Sequence, residues 1–396
     1  MAHQRIRGLN PQTPSPLNPH QMLLEALRLQ DFRNLEHVEL EPHPRFNILA
    51  GENGQGKTNL LEAVYLLSAV KSFRPQTNAD LIRFGEDGAT LEARVDRGGS
   101  ERIVRLEVSG RGKKIFLNDN PVRQLSDFFG TVNVVMFGPE DIAILKGSPS
   151  ERRRFIDRAI FNALPAFATE TQHYEDVLGQ RNALLKDHSP DQSLLNVYDE
   201  QLIQYGARII ERRLKFLSHF RPIMQRTFRA IFDEAFEADI HYHMKWSDRD
   251  DLTEADLDSR LAIERVLQEG LERTRRDERM RGYTLIGPHR DDLKTTLNGR
   301  DVKTYASQGQ HRAFVLAMKI AEITHLEERY HFAPILLLDD VSSELDRERN
   351  RFLFDFLRSR MEGQVFITTT HRDYILLDED VQTYRVSSGE IEAITD

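Results

Sequence analysis

The segment Gly51-Glu52-Asn53-Gly54-Gln55-Gly56-Lys57-Thr58 constrains this chain more than any other. It satisfies the spacing G-x-x-x-x-G-K-[S/T], in which glycines let the backbone curl until its N–H groups point at phosphate oxygens. Lys57 then reaches the β and γ oxygens, the Thr58 hydroxyl ligates Mg²⁺, and a helix N-terminus adds its dipole. The flanks agree with this reading. Phe46-Asn47-Ile48-Leu49-Ala50 is a short apolar run ending at a glycine, read as a strand, and Val64 and Leu67 lie on a helix that opens near Thr58. Residues 51–58 are the expected ATP and Mg²⁺ site.

Two further motifs lie more than 200 residues downstream. Ile335 to Leu338 is a continuous aliphatic run, expected of a strand buried on both faces of a parallel sheet, and Val365 to Ile367 is a second. Asp339 closes the first run; a carboxylate there, beside a P-loop, holds the Mg²⁺ shell, and Asp340 is placed to orient or deprotonate the attacking water. Ahead of them, Ser307-Gln308-Gly309-Gln310-His311-Arg312 leads into the helical pattern Phe314, Ala317, Ile320, Ala321. It resembles the LSGGQ signature of ABC ATPases, with Ser307, Gln308 and Gly309 forming an anion site at a helix N-terminus. Serine is also a good N-cap, and the position of the segment ahead of Asp339 favours the signature reading.

In ABC ATPases the signature of one nucleotide-binding domain closes over the P-loop of another. One of each per chain implies an ATP-dependent homodimer. Ser343-Glu344-Leu345-Asp346 stands where that family has its D-loop, and His371 stands near where a switch histidine would meet the γ-phosphate; a solvated loop histidine is the alternative. Two departures point to slow turnover. Transporter ATPases carry Glu after the Walker B aspartate, where this chain has Asp340. The Q-loop position reads Phe137-Gly138-Pro139-Glu140-Asp141, without glutamine.

Between the motifs the pattern changes twice. Leu91-Ala93-Val95 and Val104-Leu106-Val108 alternate with charges, as antiparallel strands with one wet face do, and Val132 to Met136 is another candidate strand. From Ser150 to about Arg281 the pattern is helical, with Leu202, Tyr205, Ile209, Phe216 and Phe220 on one face. Strand character then returns. The fold class is α/β: an ABC-type P-loop ATPase domain, with a mixed sheet and an antiparallel β subdomain, formed by residues 22–149 and 285–396. A helical arm domain, 150–284, interrupts it. Residues 1–21, with prolines at 11, 14, 16 and 19, read as a disordered extension and not as a secretory signal.

Composition narrows the partners. The 396 residues carry a net charge of −9, so nucleic acid would have to be met by a local basic patch. There are no cysteines, which suits a reducing cytosol, and no stretch approaches the ~20 apolar residues of a membrane span.

Further segments narrow the match from a superfamily to a family. Leu29-Gln30-Asp31-Phe32-Arg33-Asn34-Leu35 and Thr58-Asn59-Leu60-Leu61-Glu62-Ala63 resemble the RecF and SMC-like ATPases. Lys71-Ser72-Phe73-Arg74, Gly147 to Phe155, Gln180 to Lys186 and Gly287-Pro288-His289-Arg290-Asp291-Asp292-Leu293 are similar to the RecF family in particular. That resemblance runs from about residue 22 to the end. It implies a cytoplasmic, nucleoid-associated protein that dimerises on ATP, clamps double-stranded or gapped DNA and hydrolyses ATP slowly. It also implies RecR and RecO as partners in loading recombinase, and places Arg33 near the base or ribose. Two basic runs are compatible with DNA contact: Arg152, Arg153, Arg154, and Arg273, Arg275, Arg276 with Arg279 and Arg281. Solvated helix faces paired with Glu272, Asp277 and Glu278 are the alternative. An ABC-transporter subunit is disfavoured by the helical block and by Asp340; an SMC coiled coil and an added nuclease domain lack room.

Overall fold

A computed structural model describes residues 22–394 apart from 75, 76, 188, 190, 247–258 and 332; the expected extension 1–21 lies outside the described residues. The chain opens with β1 (Met22–Phe32), β2 (Leu35–Leu40) and β3 (Phe46–Ala50), then helix α1 (Lys57–Ala69). A meander follows: β4 (Gly88–Arg97), β5 (Ser100–Ser109), β6 (Gly112–Leu117) and β7 (Asn120–Pro121). The first sheet is antiparallel in the order β2-β1-β4-β5-β6-β7. Leu91 pairs with Leu106 and Ala93 with Val104, so the alternation in the sequence becomes one buried face. The opposite face carries Arg28, Glu92 and Arg105 in partly exposed ion pairs.

The second sheet carries the chemistry. After β8 (Val134–Phe137) come helices α2 (Pro149–Ala163), α3 (Ala166–Leu185) and α4 (Gln192–Ile231), strand β9 (Ala238–His243) and helix α5 (Arg260–Arg281). Then follow β10 (Asp292–Leu297), β11 (Arg300–Asp301), α6 (Gln308–Tyr330) and β12 (Ile335–Asp339). The described chain closes with α7 (Arg347–Ser359), β13 (Val365–Thr369), β14 (Val381–Ser387) and β15 (Glu390–Ile394). The sheet order is β15-β14-β3-β13-β12-β8, parallel except for β15.

Its strands are apolar on both faces because each face meets a different core. Leu49, Leu337 and Phe366 face α1 and the antiparallel sheet. Ile48, Leu336, Leu338 and Ile367 face the helices, among them Phe155, Leu217, Phe220 and Phe314. On α1, Leu60, Leu61 and Leu66 are fully buried, each stabilising by about 1.5–3 kcal/mol, which seats the helix behind the P-loop.

Helix α4, with 40 residues and a length of about 60 Å, is the axis of the helical block. Asp191 caps it, accepting from the N–H groups of Ser193 and Leu194 at 2.8 and 3.2 Å. Leu202, Ile209, Phe216 and Phe220 are buried as their period requires, with Tyr205 half-buried. Aromatic contacts Phe216–His325 and Phe228–Phe314 tie α4 to α6.

The block is not wholly helical. β9 pairs antiparallel with β10, Ile240 opposite Thr295, and β11 completes a three-stranded sheet. Ala238 and Ile240 are fully buried; Ala238, Ile240 and Tyr242 alternate with Asp239, His241 and His243, a period-2 signal of only six residues set in a stretch whose dominant period is helical. This pairing crosses the boundary drawn at 284/285, and one contiguous core holds the block and the underside of the parallel sheet.

Candidate nucleotide site

Strand β3 delivers the chain to the loop, and α1 starts at Lys57 behind it. A Cβ on Gly51 would lie 2.2 Å from the carbonyl oxygen of Val386 on β14, so only glycine fits there. Gly56 has φ 117° and stands against the Asn34 side chain, where any side chain would be both strained and crowded. Two other segments hold the loop. Asn34, in the turn between β1 and β2, donates to the Gln55 carbonyl at 3.1 Å. From the β14–β15 hairpin, Gly389 N–H donates to the same carbonyl at 2.9 Å and Ser388 N–H to Gln55 Oε1 at 2.6 Å.

The chemistry-bearing side chains converge here. Lys57 Nζ donates to the carbonyls of Gly51 and Glu52 at 2.6 and 2.8 Å. Burial pulls its ammonium below the usual lysine range, against the attraction of Asp340, Asp339 and Glu52. Thr58 Oγ1 donates to Asp339 Oδ1 at 2.9 Å, joining the two phosphate-site motifs across 281 residues of sequence. Thr368 on β13 donates to the same oxygen at 2.7 Å, and its Oγ1 accepts from Asp340 N–H at 2.9 Å. Thr58 and Asp339 are hard oxygen donors of the kind Mg²⁺ takes alongside phosphate oxygens and water, so the donor set fits that ion.

Asp340 occupies the left-handed region, φ 48° and ψ 29°, where the strand turns sharply into 341–344. Asp and Asn tolerate that conformation better than longer side chains, which gives a backbone reason for aspartate here in place of glutamate.

The signature segment stands apart. Ser307 is exposed and caps α6 with a full capping box: Gln310 N–H donates to its Oγ at 3.2 Å, and Ser307 N–H donates to Gln310 Oε1 at 2.7 Å. The cap leaves Ser307 exposed at the helix N-terminus. Among the described residues, no hydrogen bond of Ser307, Gln308 or Gly309 reaches the P-loop. The guanidinium of Arg349, on α7, lies 3.8 Å from where a Cβ on Gly309 would stand. His371 is exposed just past β13, its ring 5.3 Å from Tyr374.

Most of the chain matches known proteins on the same frame. The family described as "RecF/RecN/SMC N terminal domain" matches residues 23–393. "DNA replication and repair protein RecF" of Geobacter sp. (strain M21) is 42% identical over 93% of this chain and all of that protein. The protein of the same description from Myxococcus xanthus (strain DK1622) is 44% identical over 88% and 91%. The chain belongs to the RecF family. A solved structure of the "recombination mediator protein RecF-ATP in RecFOR pathway" shares 32% identity over 94% of this chain and 99% of that one, TM-score 0.84. An SMC head at 15% identity and TM-score 0.53 shares the fold alone. These relatives leave no support for the transporter alternative.

Within the RecF frame several expectations need correction. Arg152 is buried, its Nε and Nη2 paired with Asp292 at 2.6 and 3.1 Å and its Nη1 donating to the Gly147 carbonyl; it fixes α2 to β10 and leaves the DNA candidates. Arg153 spends a donor on the Asp291 carbonyl at 2.7 Å. Arg154 is exposed beside Glu151. Arg273, Arg275 and Arg276 are exposed on α5; Arg273 donates to the Trp246 carbonyl, and Arg275 reaches Asn196 and Asp199, both at 3.2 Å. Glu278 does not serve the helix surface: it is fully buried, taking 2.7 Å from Arg181 Nη2 and 2.8 Å from Leu285 N–H.

Arg33 sits in the turn beside the P-loop, but its guanidinium grips Glu62 of α1 at 3.0 and 2.9 Å. Glu62 has no exposed surface, and Ser72 donates to it at 2.5 Å, with Arg74 at 3.7 Å. The sequence signal for this cluster is slight: Glu62 falls one turn after Thr58 on α1, and Ser72 and Arg74 follow the helix.

Proposed function

We propose that this chain is an ATP-dependent DNA clamp, two copies of which close around two Mg·ATP, each P-loop against the partner copy's Ser307 to Gly309. The observation that carries this is the separation just described. The phosphate loop and the exposed helix N-terminus are both suited to anions, yet among the described residues no hydrogen bond links them within one chain. In this reading Glu52 to Gly56 wrap the phosphates with their N–H groups, and Lys57 neutralises the β and γ oxygens. Thr58 and Asp339 hold Mg²⁺, which screens the phosphate charge. Asp340 accepts a proton from the attacking water, and His371 senses the γ-phosphate.

Hydrolysis is slow and releases the clamp. Arg153, Arg154, Arg273, Arg275 and Arg276 are the remaining candidates for DNA phosphates, double-stranded or gapped. The relatives' RecFOR pathway supports RecR and RecO as partners and a cytoplasmic, nucleoid-associated location; no helix of the described residues is long and apolar enough to cross a membrane.

Light scattering with and without ATP and Mg²⁺ tests this. The wild type should become a dimer with ATP and not with ADP, and Lys57→Met should stay monomeric. Ser307→Asp is the sharper variant. Aspartate caps a helix as well as serine, so the fold keeps its cap, while the carboxylate repels the partner's phosphates. It should bind ATP as a monomer and fail to dimerise. A dimer that forms equally without nucleotide removes the composite site.

A further inference from the structure

The Q-loop position carries Gly138-Pro139-Glu140-Asp141 and no glutamine. β8 runs in register with β12, Phe137 opposite Leu338, so Gly138 and Asp339 follow side by side at the C-terminal edge of the parallel sheet. A Cβ built on Gly138 would lie 3.5 Å from Asp339 Cβ and 3.2 Å from Glu140 Oε2. The Glu140 carboxylate, carried on the short turn Pro139–Ile142, therefore folds back over Gly138 into the space that a side chain at position 138 would enter. Its neighbour cannot take that part. Asp141 Oδ2 accepts from Gly138 N–H at 2.9 Å, and Oδ1 pairs with the buried Lys319 at 3.0 Å. Lys319 also donates to the Met136 carbonyl at 2.7 Å, so the turn is fixed from behind and Glu140 is left exposed at the rim.

We propose that Glu140 substitutes for the glutamine: its carboxylate joins Thr58 and Asp339 in holding the divalent cation, directly or through a bound water, and makes nucleotide binding conditional on that cation. The inference rests on the reading of residues 51–58 and 339 as a Mg·ATP site. The difference between amide and carboxylate is one negative charge. With the cation present, a second carboxylate strengthens a hard-ion site. Without it, the same charge faces the γ-phosphate and repels it.

Mn²⁺ titration followed by electron paramagnetic resonance, with a slowly hydrolysed ATP analogue, separates the two layers of the argument. Glu140→Ala should weaken Mn²⁺ binding to the nucleotide complex about tenfold, and Glu140→Gln less. In EDTA, Glu140→Gln should bind the analogue at least as tightly as wild type. If both variants hold Mn²⁺ like wild type while Asp339→Asn loses it, the role of Glu140 is overturned and the site stands. If Asp339→Asn also holds Mn²⁺ like wild type, the Mg·ATP reading itself fails.

Discussion

The nucleotide site and the base of the helical block are both dense in charge, and they use it in opposite ways. At the base, charges satisfy one another. Arg181 is buried and makes three contacts of 2.7 Å, to Asp199, Glu278 and Thr284. Arg213 grips Asp157 with two bonds of 2.8 Å and donates to the Pro288 carbonyl. Asp291, without exposed surface, accepts from Tyr242 and from Trp246 Nε1. At the site, Lys57 donates to carbonyls of its own loop, and Asp339 accepts from the neutral hydroxyls of Thr58 and Thr368. Charge saturated by protein serves as scaffold, while charge held by weak local contacts can be recruited by a ligand.

The strongest way to test that contrast is to remove one charge from each region. Arg181→Ala leaves the buried Glu278 uncompensated and should destabilise the fold by about 3–5 kcal/mol, read as a lower denaturation midpoint in urea. Asp340→Asn should do the reverse. Asparagine tolerates the left-handed conformation at 340, so stability should stay within about 0.5 kcal/mol of wild type. ATP turnover should meanwhile fall about a hundredfold, and the ATP-bound dimer should persist in light scattering. Turnover at the wild-type rate would take the base role from Asp340.

The mildest effect is a pH dependence. Burial pushes the Asp291 carboxyl up from its ordinary value of 3.8 to about 7, against the bonds from Tyr242 and the charge of Arg213. A raised folded-state value means the native protein holds that proton more tightly than the unfolded chain between those limits. Ionising Asp291 therefore costs stability as pH rises from about 4 to 7. Asp291→Asn does not ionise, so its stability relative to wild type should improve from pH 4.5 to pH 8 in paired urea titrations. A constant difference would mean that the contacts around Asp291 hold it ionised throughout.

The same contrast decides what the sequence made legible. Gly51 to Thr58 is contiguous, and the aliphatic run before Asp339 announces its strand, so the phosphate site could be read from local pattern alone. The scaffold could not. Arg181 meets Glu278 across 97 residues and Arg152 meets Asp292 across 140, and nothing in the composition of α2 or α3 distinguishes a buried arginine from a solvated one. That is why Arg152 read as a DNA contact. β9 escaped for a related reason: its pairing partner lies beyond α5, and its own alternation lasts only six residues inside a helical stretch. Ser307 shows the middle case: the structure makes it a helix cap, and local pattern cannot separate a cap from a signature serine.

One arrangement also sets a clock on the protein's birth. The P-loop strand β3 is flanked by β13 and β14, and the Gln55 backbone and side chain are pinned by Ser388 and Gly389, 333 residues downstream. A ribosome adds residues at about 5–20 per second, so the loop is translated on the order of tens of seconds before the segments that shape it exist. The nascent chain passes that interval without a finished phosphate cradle, and its capacity for nucleotide arrives late in synthesis, once both flanking strands have emerged.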